Sequence, residues 1–513
     1  MDSKKLKQAL PQIAWTISIV LEIVLAGVLI YMDKLPTKYL AVILIILALA
    51  GFLTASLLLT REKKKNKVSA TRVTGYVLAF LISVVSVAGS VMGLQVETTI
   101  ENIVANGDDL AATVGVYVMA DDNADSLSDA SGYLFGQLLN YDPQRKQQSI
   151  DAIEKEVGGN IQTSDSESAF TLAEALYEGS CGAIILDEAY SSLLMEGVDD
   201  DEENPFMNFE SDTKLIYEIP IYKTEEEIQE EEAKADKDIT KDTIYVYISG
   251  SDTRSSKLTA SRSDVNIIAE INPTTHEILL ISTPRDYYVP NPAGGGAKDK
   301  LTHCGIYGVE NSEAALEELY GIEFDYYVQV NFTGFEKLID AIGGIKVNSI
   351  YGFTSYNYGG TYTFQKGENF IGGKEALAFA RDRFEVPGGD VTRGINQMAV
   401  IHGVVDKLTG STSALSNYPD ILKSLEGMFA TDMGNEDVSK LARMQLDENP
   451  TWNIHSFSLN GTGGKESNYS MSGVKSYVMY VDESMVSFAK DLMTRVENGE
   501  TLTDEDVIYG AEQ

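Results

Sequence analysis

Three long apolar stretches occupy the N-terminal part of the chain, at residues 13–31, 39–60 and 73–94. Each is close to the roughly 20 residues that an α-helix needs to cross the hydrocarbon core of a bilayer. A cleaved signal peptide does not fit the first stretch, because two more apolar stretches follow it closely. The sequence therefore predicts a membrane anchor of three transmembrane helices over residues 1–94.

Basic residues near these stretches predict the orientation of the anchor. Lys4, Lys5 and Lys7 precede the first span, and the loop between the second and third spans contains Arg61, Lys63, Lys64, Lys65, Lys67 and Arg72. Short segments rich in Lys and Arg remain on the cytoplasmic side of a membrane. With three spans, everything after Leu94 is then expected outside the cell, in a multi-pass protein of the cell membrane.

The charge of the chain is divided unevenly between the anchor and the rest. Residues 1–94 contain eleven Lys or Arg and four Asp or Glu, whereas the remaining residues contain 29 and 73. A segment this acidic repels nucleic acid, so we expect no nucleic-acid partner. Cys181 and Cys304 are the two cysteines, far apart in sequence. We expect two unpaired thiols, because this content supports neither a disulfide scaffold nor a cysteine-rich zinc site.

The part beyond the anchor is longer than one ordinary domain, which predicts two soluble units. Short strands at 114–119 and 182–186 flank a helix at 168–178, and this alternation predicts a small α/β accessory domain over 105–224. Residues 225–238 are almost wholly charged and predict an acidic linker over 225–241. A second domain is expected over 242–513.

The second domain has the pattern of a layered α/β fold. Apolar strands are predicted at 244–248, 265–271 and 278–282, later strands at 452–459 and 477–481, and a helix at 483–496. Another helix is expected to begin with a capping box of Thr333 and Glu336 and to end at Gly343. Sites in such domains gather at the strand ends.

Arginines are clustered in this domain. Six of the nine arginines beyond the anchor fall between residues 254 and 393. In a helix predicted at 392–408, Arg393, Gln397 and Ile401 share one helical stripe with Val404 and Leu408. An inward-facing guanidinium needs an anion, and its planar fork suits phosphate oxygens. Any single arginine could instead neutralise a neighbouring carboxylate.

Carboxylates lie at two strand junctions near these arginines. Asp252 follows the first strand, and Asp264 begins the second, two residues after Arg262 and therefore on the same face. Two carboxylates beside an arginine can hold Mg²⁺ together with phosphate oxygens and water. Taken alone, a Ser-Asp pair at the start of a strand more often stabilises a turn than binds a metal ion. His303 could act as a base, but a structural role is the default expectation.

Taken in order, these motifs resemble the LytR-CpsA-Psr family of phosphotransferases. The matching segments are Ser261-Arg262-Ser263-Asp264, Thr283-Pro284-Arg285-Asp286-Tyr287-Tyr288-Val289, Lys300-Leu301-Thr302-His303, Asp325-Tyr326-Tyr327-Val328 with Gly343-Gly344, and Ala380-Arg381-Asp382-Arg383 with Gly389-Asp390 and 393–397. Three spans and an accessory domain resemble the capsule-associated CpsA branch. The resemblance implies an α-β-α sandwich whose apolar pocket holds a polyprenyl chain beside an arginine-rich mouth. We expect strand residues and the helix bearing Ile401 and Val404 to line this pocket.

The resemblance also implies roles for individual residues. Asp252 and Asp264 match the metal carboxylates, with Mg²⁺ as cofactor. The residues that match pyrophosphate-binding or catalytic positions are Arg262, Arg285, Arg381, Arg383 and Arg393, with Lys300 and Gln397 as further substrate contacts. Asp390 is expected to orient the arginines or to act as an acid or base.

The implied reaction is transfer of a glycopolymer, capsular or teichoic-acid-like, from undecaprenyl pyrophosphate to peptidoglycan in a Gram-positive bacterium. Proteins of capsule synthesis or export are further expected partners. The sequence leaves two alternatives open, because each would use the same arginines. One is a non-catalytic receptor for lipid-linked intermediates, and the other is a polyprenyl pyrophosphate hydrolase.

Overall fold

A computed structural model describes residues 3–60, 69–108, 110–195, 204–222, 237–251, 258, 260–356, 358–410, 428–471 and 475–508. The chain forms two compact units. The first contains the N-terminal helices, α1 (Ser3–Met32), α2 (Thr37–Leu58) and most of α3 (Ala70–Asp108). All three are long and apolar enough to cross a membrane, over Ala9–Met32, Thr37–Leu58 and Ala70–Thr99, which confirms the predicted apolar spans. Most of the basic loop, at 61–68, lies outside the described residues.

The accessory domain combines a five-stranded sheet with helices, which agrees with the predicted α/β class. Its strands are β1 (Leu110–Met119), β2 (Leu134–Leu138), β3 (Gln162–Ser166), β4 (Ala183–Asp187) and β5 (Thr213–Tyr222), in the order β3-β2-β4-β1-β5. Its helices are α4 (Pro143–Val157), α5 (Ala169–Tyr177), α6 (Glu188–Leu194) and α7 (Phe209–Asp212). Ser168 and Thr171 form a capping box that begins α5. The predicted acidic linker lies mostly outside the described residues, at 223–236.

The second domain is built on a six-stranded sheet in the order β16-β11-β6-β7-β8-β17. Its strands are β6 (Ile244–Ser251), β7 (Ser263–Asn272), β8 (Glu277–Ser282), β11 (Tyr326–Asn331), β16 (Phe429–Thr431) and β17 (Asn453–Ser458). Short pairs add β9 (Tyr288–Pro290) with β10 (Lys298–Lys300), β12 (Ile345–Ser349) with β15 (Gly367–Ile371), β13 (Phe353–Ser355) with β14 (Tyr362–Phe364), and β18 (Gly461–Ser467) with β19 (Lys475–Val481). The helices are α8 (Leu301–Cys304), α9 (Val309–Tyr320), α10 (Phe332–Ala341), α11 (Gly373–Arg381), α12 (Asp390–Thr409), α13 (Asn435–Glu448) and α14 (Glu483–Glu497).

Helices cover both faces of this sheet. Side chains alternate between the two faces of a strand. Tyr247, Ile268 and Leu279 face a core that α9 and α14 complete. Ile248 and Val265 face the opposite side, towards α10, α11 and α12. The domain is therefore the predicted α-β-α sandwich.

Helix α13 belongs to the same compact unit as the N-terminal helices, although it lies between β16 and β17 in sequence. Asn435 at its start donates to Glu97 in α3 at 2.6 Å and accepts from the Lys34 ammonium at 2.9 Å. Lys34 also pairs with Glu97 at 2.6 Å. This half-buried triad joins α13 to α3 and to the turn that follows α1.

The predicted capping box at 333–336 is wrong. Asn331 is the N-cap of α10, and its side chain accepts a hydrogen bond from the Gly334 amide at 2.8 Å. Thr333 instead lies inside the first turn, because the helix begins one residue before it. The predicted end of the helix is confirmed, since Gly343 follows it with φ +78°.

The two domains of the second unit share a hydrophobic cluster. Ile306 and Met471, both from the α-β-α sandwich, are almost fully buried among side chains of the accessory domain such as Leu172 and Leu193. Cys181 lies in the same cluster. Cys181 and Cys304 are both buried and unpaired with each other, as predicted.

Candidate active site

A cavity of about 430 Å³ lies between the sheet and helices α10, α11 and α12. Strands β6, β7 and β11 form its floor. Its apolar lining consists of Ile248, Val265, Val330, Phe332, Phe335, Leu377, Ala380, Phe384 and Ile401. The predicted pocket beside the arginines is thus present in the structure. Val404, which was expected to line it, is not among the lining residues.

Five arginines from four separate parts of the chain line the same cavity. They are Arg262 before β7, Arg285 after β8, Arg381 and Arg383 at and beyond the end of α11, and Arg393 in the first turn of α12. Asp264 is the one carboxylate among these lining residues. The cavity wall therefore has a large excess of positive charge, as expected for a site that binds a multiply charged anion.

Asp264 and Arg285 form an ion pair within this cluster. The Nη1 atom of Arg285 lies 2.7 Å from Oδ1 of Asp264, and both side chains are largely buried. Burial raises the pKa of Asp264, but the charges of Arg285, Arg262 and Arg393 outweigh this effect and hold the pKa well below its usual value. Asp264 is therefore ionised at neutral pH and offsets part of the arginine charge.

Repulsion among the arginines affects the pKa of Arg383. Burial lowers the pKa of Arg383, and the charges of Arg285 and Arg393 lower it further. Arg381 is stabilised differently, because its guanidinium lies 3.7 Å from the ring centre of Phe332 and 5.0 Å from that of Tyr358. Aromatic faces hold a guanidinium without neutralising it. The cluster thus retains positive charge that a bound anion would compensate.

Helix α12 directs one face of its N-terminal half at the cavity. Arg393, Gln397 and Ile401 all line it, which confirms the predicted stripe over its first three positions. Leu408, further along the stripe, is 40% exposed. A Cβ at Gly394 would lie 2.5 Å from the Ser282 hydroxyl, so the glycine allows α12 to approach the end of β8 closely.

Two polar residues of α12 have partners inside the protein. Asp390 lies 2.5 Å from Nη2 of Arg393, one turn away, and lines a small adjoining cavity with Asp264 and Arg285. This geometry fits the predicted orienting role of Asp390. Gln397 donates from its side-chain amide to the Ala380 carbonyl at 3.1 Å, so one of its donors links α12 to α11.

Three further predicted residues are not among the described residues that line the cavity. Asp252 lies outside the described residues. Lys300 is buried at the end of β10 and is not among the residues that line the cavity. His303 is fully buried with its Nδ1 atom 2.7 Å from Asp299, as a structural role requires.

A model of the LytR_cpsA_psr family matches residues 215–494 of the chain. The protein belongs to the LytR-CpsA-Psr family. The matched range includes every described arginine of the cavity and all six strands of the larger sheet.

Named relatives are transferases. The chain is 33% identical over 270 residues to the polyisoprenyl-teichoic acid–peptidoglycan teichoic acid transferase TagU of Bacillus subtilis, covering 52% of this chain and 82% of that protein. It is 34% identical over 204 residues to the enzyme of the same name in Enterococcus faecalis, covering 39% of this chain and 65% of that protein. A solved structure of TagT bound to LI-WTA is 25% identical, covers 52% of this chain and 94% of that chain, and has a TM-score of 0.41.

The described lining of the cavity in this LytR-CpsA-Psr protein contains one carboxylate, Asp264, that could bind a metal. Among the described residues there is no group of three or more His, Cys, Asp or Glu side chains that could hold a metal ion. Mg²⁺ differs from zinc in this respect, because it commonly takes one or two carboxylates and completes its shell with phosphate oxygens and water. Asp264, ionised and at the cavity wall, fits such a site.

Sequence reasoning missed most of the apolar wall of this LytR-CpsA-Psr site. Phe332 and Phe335 are one turn apart on α10, and Leu377 and Ala380 are similarly spaced on α11. The spacing of each pair is typical of a helix face that packs in the hydrophobic core. The signal that distinguishes them is their position directly after β11 and directly before Arg381, next to the strand ends where sites gather.

Proposed function

We propose that this protein is a phosphotransferase that moves a glycopolymer from undecaprenyl pyrophosphate to peptidoglycan at the outer face of the cell membrane. One observation carries the proposal: a single cavity has both an apolar lining and a cluster of five arginines. A polyprenyl pyrophosphate has the same two parts.

Each part of such a substrate has a matching surface. Burial of the isoprenoid tail against Phe335, Leu377 and Ile401 removes apolar area from water. Each Å² of buried apolar area stabilises the complex by about 25 cal/mol. The pyrophosphate would then lie at the arginines, where planar guanidinium groups can donate to several oxygens at once. This arrangement supports a lipid-linked donor over a free nucleotide sugar.

The reaction needs little covalent chemistry from the protein. A hydroxyl oxygen of the acceptor sugar attacks the phosphorus that carries the glycopolymer. The new oxygen–phosphorus bond forms while the bond to the bridging oxygen breaks, and undecaprenyl phosphate leaves with the electron pair. The hydroxyl proton passes to a nearby carboxylate, for which Asp390 is the candidate. Arginines positioned in advance stabilise the charge that develops on the phosphoryl oxygens.

Mg²⁺ is proposed as the cofactor. Asp264 would hold it, with Asp252 as a second ligand, and the bound ion would supply further neutralisation of the pyrophosphate charge. Asp264 has a second role in this scheme, because it keeps Arg285 oriented in the absence of substrate.

The cellular setting follows from the anchor and the relatives. Basic residues before α1 and between α2 and α3 support an extracellular location for the soluble domains. The relatives' names support a teichoic-acid-like polymer, whereas the three spans and accessory domain support a capsular polysaccharide, with capsule synthesis or export proteins as partners.

Transfer by the full-length protein in detergent tests the proposal. The assay would contain an undecaprenyl-pyrophosphate-linked oligosaccharide, peptidoglycan fragments and Mg²⁺, with products analysed by mass spectrometry. We expect a glycan-phosphate joined to peptidoglycan, lost in Arg393→Ala and kept in Arg495→Ala, which removes an arginine paired at the surface with Glu500 and Asp506. Release of free glycan phosphate would instead indicate a hydrolase, and binding without any turnover would indicate a receptor.

A further inference from the structure

A second cavity, of about 350 Å³, lies between the accessory domain and the α-β-α sandwich. Its lining includes three tyrosines, Tyr190 from the accessory domain and Tyr307 and Tyr469 from the sandwich. We call it the tyrosine cleft. Both domains belong to one compact unit and share the buried cluster around Ile306 and Met471, so the two walls of the cleft belong to domains that are packed together.

The three rings form a continuous aromatic surface. The ring centres of Tyr307 and Tyr469 are 5.9 Å apart with their planes tilted by 39°, and those of Tyr190 and Tyr307 are 6.2 Å apart and perpendicular. Tyr190 is buried, whereas Tyr307 and Tyr469 are partly exposed. The Tyr307 hydroxyl is 3.0 Å from the Ser470 hydroxyl, which holds its ring in place. The cleft is thus lined by three neighbouring tyrosine rings, two of them partly exposed.

Polar groups surround these rings. Asn140 and Glu167 are exposed at the rim on the side of the accessory domain, and the lining also includes Ser168. Amide, carboxylate and hydroxyl groups beside partly exposed aromatic rings match a carbohydrate, whose C–H faces pack on rings while its hydroxyls form hydrogen bonds.

The charge of the cleft favours uncharged carbohydrates over negatively charged ones. Glu167 is the one charged residue among its described lining residues. The first cavity, in contrast, is lined by five arginines. Because a polymer of sugar phosphates would be repelled at Glu167 and attracted at the arginines, the cleft suits an uncharged glycan.

A short segment connects the cleft to the arginine cluster. Asp299 accepts hydrogen bonds from the amide and the hydroxyl of Ser470 at the cleft. Three residues later, the Thr302 hydroxyl lies 3.4 Å from Asp264, and the Thr302 amide donates to the Arg285 carbonyl at 2.8 Å. Three residues span at most about 11 Å, so the two sites are neighbours.

We propose that the tyrosine cleft binds the uncharged glycan strand of the acceptor and presents its hydroxyl to the arginine site. The inference rests on the proposed function for the identity of the ligand. It assigns the accessory domain a role in acceptor recognition through Tyr190, Asn140 and Glu167. The donor, with its phosphates and tail, would occupy the first cavity alone.

Binding of an uncharged tetramer of N-acetylglucosamine to the full-length protein in detergent tests this assignment by calorimetry. We expect Tyr469→Ala to raise the Kd about tenfold through loss of a ring contact. Glu167→Gln changes only an exposed rim group and is expected to raise the Kd several-fold, which keeps the test valid if Tyr469→Ala misfolds. Tyr222→Ala, at a tyrosine 56% exposed on β5, is the matched control and should bind as the wild type does.

Arg393→Ala separates this inference from the proposed function. It should abolish transfer and leave tetramer binding unchanged, because Arg393 lines the other cavity. Tetramer binding by the wild type without transfer would count against the proposed function alone. Unchanged Kd values in both Tyr469→Ala and Glu167→Gln, or competition by an oligomer of ribitol phosphate, would overturn the assignment of the cleft.

Discussion

Asp264 and Arg285 form a largely buried ion pair at 2.7 Å in the wall of the larger cavity, so the proposed metal ligand is also the partner of a proposed pyrophosphate ligand. Removal of either side chain therefore changes the other. Any experiment on the metal must separate these two roles.

Asp264→Asn and Asp264→Ala together separate them. Both should reduce transfer by about a hundredfold or more, because both remove the charge proposed to bind Mg²⁺. Asp264→Ala should also unfold more easily, since breaking a buried pair costs about 3–5 kcal/mol, whereas asparagine keeps an acceptor for Arg285. Transfer rates with and without chelator, and thermal unfolding, give the two readouts, with the exposed Asp491→Asn as control. Near wild-type transfer by Asp264→Asn in chelator would refute the metal assignment.

Arg383→Gln should weaken substrate binding without destabilising the free protein. Burial and the neighbouring Arg285 and Arg393 lower the pKa of Arg383, so its charge is unfavourable in the free protein. We expect the melting temperature of the free protein to stay the same or rise, while the Kd for a polyprenyl pyrophosphate rises about tenfold or more. A lower melting temperature with unchanged affinity would indicate a purely structural arginine.

Ile401→Trp should block the apolar part of the larger cavity. Ile401 lines the cavity, whereas Val404, one turn later on α12, does not. We expect the full-length protein to retain lipid during purification and Ile401→Trp to lose it, with Val404→Trp as the matched control. Native mass spectrometry measures the retained lipid. Equal retention in all three proteins would mean that the lipid binds elsewhere.

Asp187 should make the stability of the accessory domain depend on pH. Burial raises the pKa of Asp187 to about 6, although the Ala189 amide and the Tyr141 hydroxyl donate to it. Its unfolded pKa is about 3.9, so the folded protein binds more protons, and stability falls as the pH rises from about 4 to about 6. Asp187→Asn should therefore gain stability relative to wild type at about pH 7.5 and not at about pH 4. The same gain at both pH values would contradict this account.

Accessibility to a membrane-impermeant thiol reagent tests the orientation. A cysteine at Glu230, in the predicted linker, should be labelled in intact cells, and one at Lys65, between the second and third spans, only after permeabilisation. Cys181 and Cys304 are buried and should contribute little background. Labelling of both or neither in intact cells would contradict the predicted topology.

Local sequence patterns predicted the helices and membrane spans better than the contacts between residues that line the cavity. The stripe of Arg393, Gln397 and Ile401 follows from helical spacing alone, and the three apolar spans follow from length and hydropathy. The start of α10 was missed because Asn331 and Thr333 are both acceptable caps, and the end of β11 decides between them. The ion pair of Asp264 with Arg285 joins a residue of β7 to one in the segment after β8, so only the assembled sheet brings them together.

The shared cluster around Ile306 and Met471 has a consequence for biosynthesis. The accessory domain is made before most of the sandwich, yet its core is completed by residues synthesised long after β5 has left the ribosome. Contacts this distant in sequence form late, and apolar surface stays exposed until they do. In the proposed extracellular orientation, the chain would therefore need protection from aggregation, or the help of a folding factor, until Met471 has crossed the membrane.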